Sequence, residues 1–442
     1  MSGSAFDSAI YRGLFTHPDL ARLFTDSAEI RAMLLVEGAL AQVQGRLGLI
    51  PETAAAAIHR AAMEASIDPA ALTAETGRNG VPIPALVAAF RAEIGAPEHA
   101  QFLHWGATSQ DIVDTALMLR MRRALEIMET DCRRLLKGLA ALARDHAETP
   151  MAARTYGQYA APSTFGAVAA GWGAPLLRHL DRLAELRPRV LCVSLSGAAG
   201  TGSAFGPDAP AIRAGLAEAL GLSDSGASWH AARDRIVELG GWMAAAAGLT
   251  AKMGRDMERL CQSGIGGLRL GAGGGSSTMP QKQNPVGPSV LMALAPYAAA
   301  QAQVLTAALS PAEQRDGGAW FAEWLSFSPL VLAAGRALAL AAELSEIAEP
   351  VPEALAAALD DPLGLIDAEA WSFALAERMP RQEAQGAVKD LCREAQATGA
   401  NLSDLVARDH PGVALSPANR FGQAPADARA FAEAVDALPA GR

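Results

Sequence analysis

Between Asp111 and Glu148 the chain reads "DIVDTALMLRMRRALEIMETDCRRLLKGLAALARDHAE", with apolar residues at three- and four-residue steps, no proline and one glycine. That spacing predicts one continuous helix, which at about 1.5 Å per residue would be unusually long. Thr108 or Ser109 can cap its start and Pro150 ends it. The same periodicity predicts long helices over 231–262 and 286–310, and a shorter one over 329–349. Helices of this length belong to bundles, and their wide apolar stripes imply further burial between subunits. Residues 1–110 read instead as short helices broken by turns. There "FTDSAEIRAMLLVEGALAQVQGRLGLIP" sets Ile30, Met33, Leu34, Ala39, Leu40 and Val43 at helical spacing behind an Asp26 or Ser27 cap, with Gly48 and Pro51 closing the segment. The one convincing strand candidate is "RVLCVSLS" at 189–196, leading into the glycine-rich "GAAGTGSAFG". "EPVPEAL" at 349–355 and "DDPLGL" at 360–365 mark a boundary after which helices are short again. The expected organisation is all-α, with an N-terminal helical domain over 1–110, a central long-helix bundle over 111–350 and a small C-terminal helical domain over 351–442.

Composition agrees with that class. Half of the 442 residues are hydrophobic and only 5% aromatic, much of the apolar content is alanine and leucine, and β-branched runs are scarce. The formal net charge of -10 argues against nucleic acid and anionic membranes as partners. It leaves room for an anionic small molecule in a locally basic pocket. No basic stretch followed by an apolar one opens the chain, so no secretory signal is expected. The most apolar segments, near 291–309 and 330–342, are interrupted by Pro296, two glutamines and Arg336, as buried bundle helices are. Cys132, Cys192, Cys261 and Cys392 are far apart and form no Cys-x-x-Cys pair, which predicts reduced thiols in a cytoplasmic protein with no zinc site and no disulfide framework.

The chemistry concentrates in the glycine-rich loop 262–285, which ends "GAGGGSSTMPQKQNP". No strand precedes its glycines and no Gly-Lys-Ser/Thr follows, so it is neither a dinucleotide fingerprint nor a P-loop. Two prolines stiffen it, and Lys282 stands close to Asn284, which is unlike a spacer. "GSSTMPQKQNP" resembles the signature of the fumarase/aspartase superfamily. "HWGATSQD" (104–111) and "ARTYGQYAAPSTFG" (153–166) resemble its first and second conserved regions, in the expected order. The resemblance covers essentially the whole chain. It implies a three-domain fold whose long helices assemble into a tetrameric core, with active sites shared between subunits and no metal or organic cofactor. It also implies chemistry at the carbon next to a carboxylate, through a carbanion held as an aci-carboxylate. By position, Ser276 would transfer the proton, and Lys282 and Asn284 would hold the substrate carboxylate. These residue types fit that chemistry, because loop amides, a lysine and an amide can be aimed at the developing charge. A serine hydroxyl becomes a base only when donors close around it and exclude water.

Departures from the common pattern narrow the branch. Lyases of this superfamily usually carry Thr-His in the second region and a glutamate that orients that histidine; here Tyr156 and Ser289 occupy those positions. "WHAARDRIVE" (229–238) and "EQRDGGAWFAEW" (313–324) resemble segments of the bacterial 3-carboxy-cis,cis-muconate cycloisomerase branch. That resemblance implies reversible lactonisation of a small polycarboxylate. The expected contacts are His104, Thr108, Ser109, Arg154, Tyr156, Gln158, Trp229, His230, Arg233 and Arg315 beside Lys282 and Asn284, with Arg233 the leading candidate for a bidentate carboxylate contact. Each has a plainer reading: tryptophans in the core, histidines in structural hydrogen bonds, arginines in surface ion pairs, Thr108 and Ser109 as a helix cap. Two other functions stay open, a lyase releasing fumarate as adenylosuccinate lyase does, and a non-catalytic tetrameric scaffold.

Overall fold

The computed structural model describes residues 3–271, 274–275, 278–416 and 420–439. Its framework is a set of long helices: Ser109–Asp145, Phe165–Val190, Asp234–Leu260, Val286–Ala307 and Gly317–Ile347. The unbroken apolar stripe of the first is buried throughout, with Ile112, Ala116, Met121, Leu125, Met128 and Leu135 all fully covered. The all-α expectation therefore holds, and the departures from it are local. Phe165–Val190 and the hairpin before it lie where no element was expected. The last long helix begins at Gly317 rather than Pro329. Asp316 caps it, its carboxylate accepting from the Gly318 and Ala319 amides at 2.9 and 3.4 Å. Pro329 sits inside that helix. Such a proline costs ~3 kcal/mol, which the buried run Leu330, Val331, Ala333, Ala334, Ala337 and Leu338 offsets. In the N-terminal helix Asp26–Arg46 the cap is Thr25, whose hydroxyl accepts from the Ala28 amide, and neither Asp26 nor Ser27.

The expected strand at 189–196 does not form. Arg189 and Val190 end a helix, and the extended stretch after them makes a single bridge, Cys192 to Ser223. Its backbone is satisfied by side chains instead. Thr115 takes the Ser194 amide and donates to its carbonyl, Asp111 takes the Ser196 and Gly197 amides, and the Trp229 indole donates to the Val193 carbonyl. Alternating apolar residues marked a buried extended segment correctly, and polar groups on neighbouring elements replace a partner strand.

Packing groups the chain by contact between stretches distant in sequence. Each of two compact units gathers three stretches, 1–131, 178–248 and 293–339 in one, and 132–177, 249–292 and 340–442 in the other. The core of the first unit joins Met33, Leu34 and Leu40 to Leu86, Phe90, Ile112, Val193, Leu216 and Trp320. Among the described residues the second contains three two-stranded ribbons. Pro150–Thr155 pairs with Gln158–Thr164, Leu268–Leu270 with Ala348–Pro350, and Gly274–Gly275 with Gln283–Asn284. It also holds a separate C-terminal core around Trp371, Leu375, Leu391 and Leu402.

Candidate active site

In the first unit the site grows from the start of helix Ser109–Asp145. Asp111 is fully buried and accepts four hydrogen bonds: from the Thr108, Ser196 and Gly197 amides at 3.0, 2.8 and 2.9 Å, and from His230 Nε2 at 2.7 Å. One carboxylate thus fixes both the helix start and the glycine-rich segment beside it. Gln110, also buried, is held through its amide nitrogen by Asp114 and the His230 carbonyl, which turns its Oε1 toward Arg315. Arg315 donates to that oxygen at 2.9 Å, to Thr108 Oγ1 at 3.5 Å and to the Ala198 carbonyl at 3.2 Å, and remains half-buried. Thr108, Ser109 and His104 are half-buried on the same turn. His104 Nδ1 lies 2.6 Å from Glu37 Oε1. Burial works against its charge, but Glu37 and then Asp111 outweigh it and the opposing Arg91, so the imidazole's pKa is held above its ordinary value.

Three expected contacts are interior instead. Arg233 directs its N–H groups to Glu323 at 2.8 and 2.5 Å, to Asp114 at 2.7 and 3.3 Å and to the Trp229 carbonyl at 3.5 Å, and its ring-facing side stacks over Trp229. All five donors have acceptors, which leaves none for a substrate carboxylate. Burial alone would lower its pKa, yet Asp114 and Glu323 together raise it, and the guanidinium is firmly charged. Trp229 is buried and donates to Val193, and His230 is buried against Asp111. These residues brace the turn that carries Thr108 and Ser109. Sequence reasoning passed over Glu37, Gln110, Asp111, Asp114 and Glu323. The available signal was Glu37 itself, a carboxylate in the middle of the apolar face of Asp26–Arg46.

The other expected contacts lie in the second unit. Thr155 and Gln158 close the hairpin, and Tyr156 and Gly157 form its tip with φ of 51° and 79°. Two positive φ values make the tight turn that suits the strands' twist, at the cost of a strained tyrosine. Tyr156 is fully exposed, Gln158 is exposed, and Arg154 lies over the Tyr159 ring at 4.7 Å. In the signature loop Gly275 pairs with Gln283 and Gly274 with Asn284, Lys282 is exposed and Asn284 half-buried. Ser276 lies outside the described residues. Ser289, where lyases place a glutamate, donates its hydroxyl to the Pro285 carbonyl at 3.1 Å. Among the described residues no three His, Cys, Asp or Glu side chains converge as a metal site would require.

A sequence profile for a family described as Lyase matches residues 10–297. The chain is 39% identical to the 3-carboxy-cis,cis-muconate cycloisomerase of Pseudomonas aeruginosa over 94% of both chains. It is 34% identical to the nitrosuccinate lyase of Streptomyces davaonensis, over 86% of this chain and 83% of that one. The crystal structure of the 3-carboxy-cis,cis-muconate lactonizing enzyme of Pseudomonas putida superposes with a TM-score of 0.89 at 34% identity, covering 97% of this chain and 99% of the other. The chain belongs to this lyase family of the fumarase/aspartase superfamily.

Proposed function

We propose that the protein is a 3-carboxy-cis,cis-muconate cycloisomerase, which closes its substrate reversibly to 4-carboxymuconolactone. The carrying observation is the pair of positions where a lyase of this superfamily keeps its histidine and glutamate. Here they hold an exposed Tyr156 and a Ser289 bonded to its own helix start, while the carboxylate-holding groups are kept. In the forward direction one substrate carboxylate oxygen bonds to an alkene carbon. The π electrons move to the carbon next to another carboxylate, and that carbon takes a proton, so one proton is consumed. Ser276 is the group we assign to that proton. Lys282 and Asn284, and separately Arg315, Thr108, Ser109 and His104, are assigned to substrate carboxylates. Arg154, Tyr156 and Gln158 on the hairpin are assigned to a site shared between subunits of a cytoplasmic homotetramer.

A β-elimination releasing fumarate is the second reading, favoured by the similarity to a nitrosuccinate lyase. One ultraviolet assay separates the two. Loss of the conjugated diene on incubation with 3-carboxy-cis,cis-muconate is the expected result, and fumarate release from adenylosuccinate or nitrosuccinate, with the diene untouched, would replace the first reading by the second. Ser276→Ala is expected to lower kcat by ~10²–10⁴-fold; a variant keeping most of its turnover would remove the serine from the mechanism.

A further inference from the structure

Glu37 sits in the apolar face of helix Asp26–Arg46, between the buried Val36 and Ala39, and is itself 1% exposed. Its Oε1 meets His104 Nδ1 at 2.6 Å, and its Oε2 has no hydrogen-bond partner among the described residues. A carboxylate removed from water to this degree is tolerated when its one partner carries the opposite charge. A neutral imidazole would leave the negative charge uncompensated, so the geometry selects the imidazolium.

His104 is placed to use that charge. Its φ is 63°, a left-handed conformation uncommon for a residue other than glycine. The turn around it is tied down by Gln44, which donates to the Trp105 carbonyl at 2.7 Å, and by the Ala107 amide, which reaches the His104 carbonyl at 3.3 Å. Glu37 occupies Nδ1, while Nε2 has no partner among the described residues and the side chain is 18% exposed. Four residues on stands Thr108, whose hydroxyl Arg315 touches. The ionisable groups facing the imidazole are Glu37 from helix Asp26–Arg46, Asp111 from the start of Ser109–Asp145, and Arg91, which opposes them and is anchored on the Leu103 carbonyl.

We propose that Glu37 is a positioning residue that holds His104 as an imidazolium, whose Nε2–H binds one carboxylate of a polycarboxylate substrate. The proposal rests on the polycarboxylate reading above and adds the protonation state on which binding depends. The binding form is the cation, so affinity is full below the pKa of His104 and falls as pH rises through it. In Glu37→Gln the amide oxygen still accepts from Nδ1–H and the turn is kept, but the charge that favours the cation is gone, and the loss of affinity moves to lower pH.

The test measures kcat and KM for 3-carboxy-cis,cis-muconate, and the Kd of tricarballylate by calorimetry, from mildly acidic to mildly alkaline pH. Glu37→Gln is expected to raise KM and Kd at neutral pH by ~10-fold, with kcat changed by less than ~3-fold. His104→Asn keeps a residue that tolerates the left-handed turn. It is expected to weaken tricarballylate binding at acidic pH and to remove the pH dependence altogether. Glu37→Gln profiles that overlay those of the wild type, or a fall in kcat at unchanged KM, overturn the proposal. Should Glu37→Gln fail to fold, the His104→Asn binding profile decides alone, and a pH dependence equal to the wild type's overturns the proposal. A wild type that binds tricarballylate with the expected pH dependence but leaves 3-carboxy-cis,cis-muconate unchanged would discard the cycloisomerase reading and keep this one.

Discussion

A guanidinium receives a carboxylate ligand only while some of its donors are free. Arg233 and Arg315 are alike in sequence, both in segments that resemble the same branch, and the structure separates them completely. Arg233 is locked between Asp114 and Glu323 with 3% of its surface exposed, whereas Arg315 is half-buried and fastened at its edges to Gln110, Thr108 and Ala198. Their variants are expected to diverge accordingly. Arg233→Met leaves two buried carboxylates facing each other without a cation and is expected to cost ~3–5 kcal/mol of stability, read as a lowered denaturant midpoint or loss of soluble protein. Arg315→Lys keeps the charge but loses the planar fork; it is expected to raise KM by ~10-fold with an unchanged denaturation midpoint, roughly the ~1.4 kcal/mol of one good contact. An Arg315→Lys enzyme with wild-type KM would take Arg315 out of substrate binding. At this scale the sequence singled out the loop by its composition, and the structure leaves Lys282 exposed and Asn284 half-buried there. The sequence could not rank the arginines, since donor satisfaction depends on Asp114 and Glu323, which are 119 and 90 residues away along the chain.

Among the elements, periodicity located helices wherever an apolar stripe ran unbroken, and erred where a local rule met tertiary packing. Pro329 reads as a helix start by propensity, but burial of the segments around it carries the helix across. "RVLCVSLS" reads as a strand, but its partners are the side chains of Thr115, Asp111 and Trp229. Close helix approach was also invisible in one dimension. Gly138, inside Ser109–Asp145, faces Ser345 of Gly317–Ile347 so closely that an added Cβ would lie 2.9 Å from the Ser345 Cβ. Alanine is the better helix former by ~1 kcal/mol, and overpacking costs ~1–3 kcal/mol, so Gly138→Ala is expected to lower the thermal midpoint. Gly386, in helix Arg381–Thr398, has open space where a Cβ would go. There Gly386→Ala is expected to raise stability by ~0.5–1 kcal/mol. Thermal denaturation of the two variants followed by circular dichroism checks both signs; a stabilised Gly138→Ala would mean that the two helices have room to part.

At the scale of the whole molecule, two helices among the described residues are long and apolar enough to cross a membrane, and one chain treats them oppositely. The apolar window of Gly317–Ile347 is 78% buried, while that of Val286–Ala307 is only 28% buried. Ala293, Pro296, Ala300, Val304 and Ala307 recur at three- and four-residue steps on its exposed side. An apolar helical face of this size calls for a cover, and small side chains allow another helix to approach closely. The proposed tetramer supplies that cover and accounts for Tyr156 as well, since a strained tyrosine fully exposed at a hairpin tip is placed to meet another copy of the chain. Light scattering is expected to give a mass about four times the 45.7 kDa of the chain. Ala300→Arg places a charge in the middle of the apolar stripe and is expected to yield smaller species with helix content intact. If catalytic sites are shared between subunits, activity falls with the tetramer, by ~10²-fold or more, because each site loses residues that another copy supplies. Mixing that variant with an excess of chains that carry only Ser276→Ala sharpens the outcome: recovered activity in mixed assemblies shows that one chain's serine serves a site completed by another. A dissociated Ala300→Arg species with full activity would place the whole site in one chain and remove the reason for the exposed Tyr156.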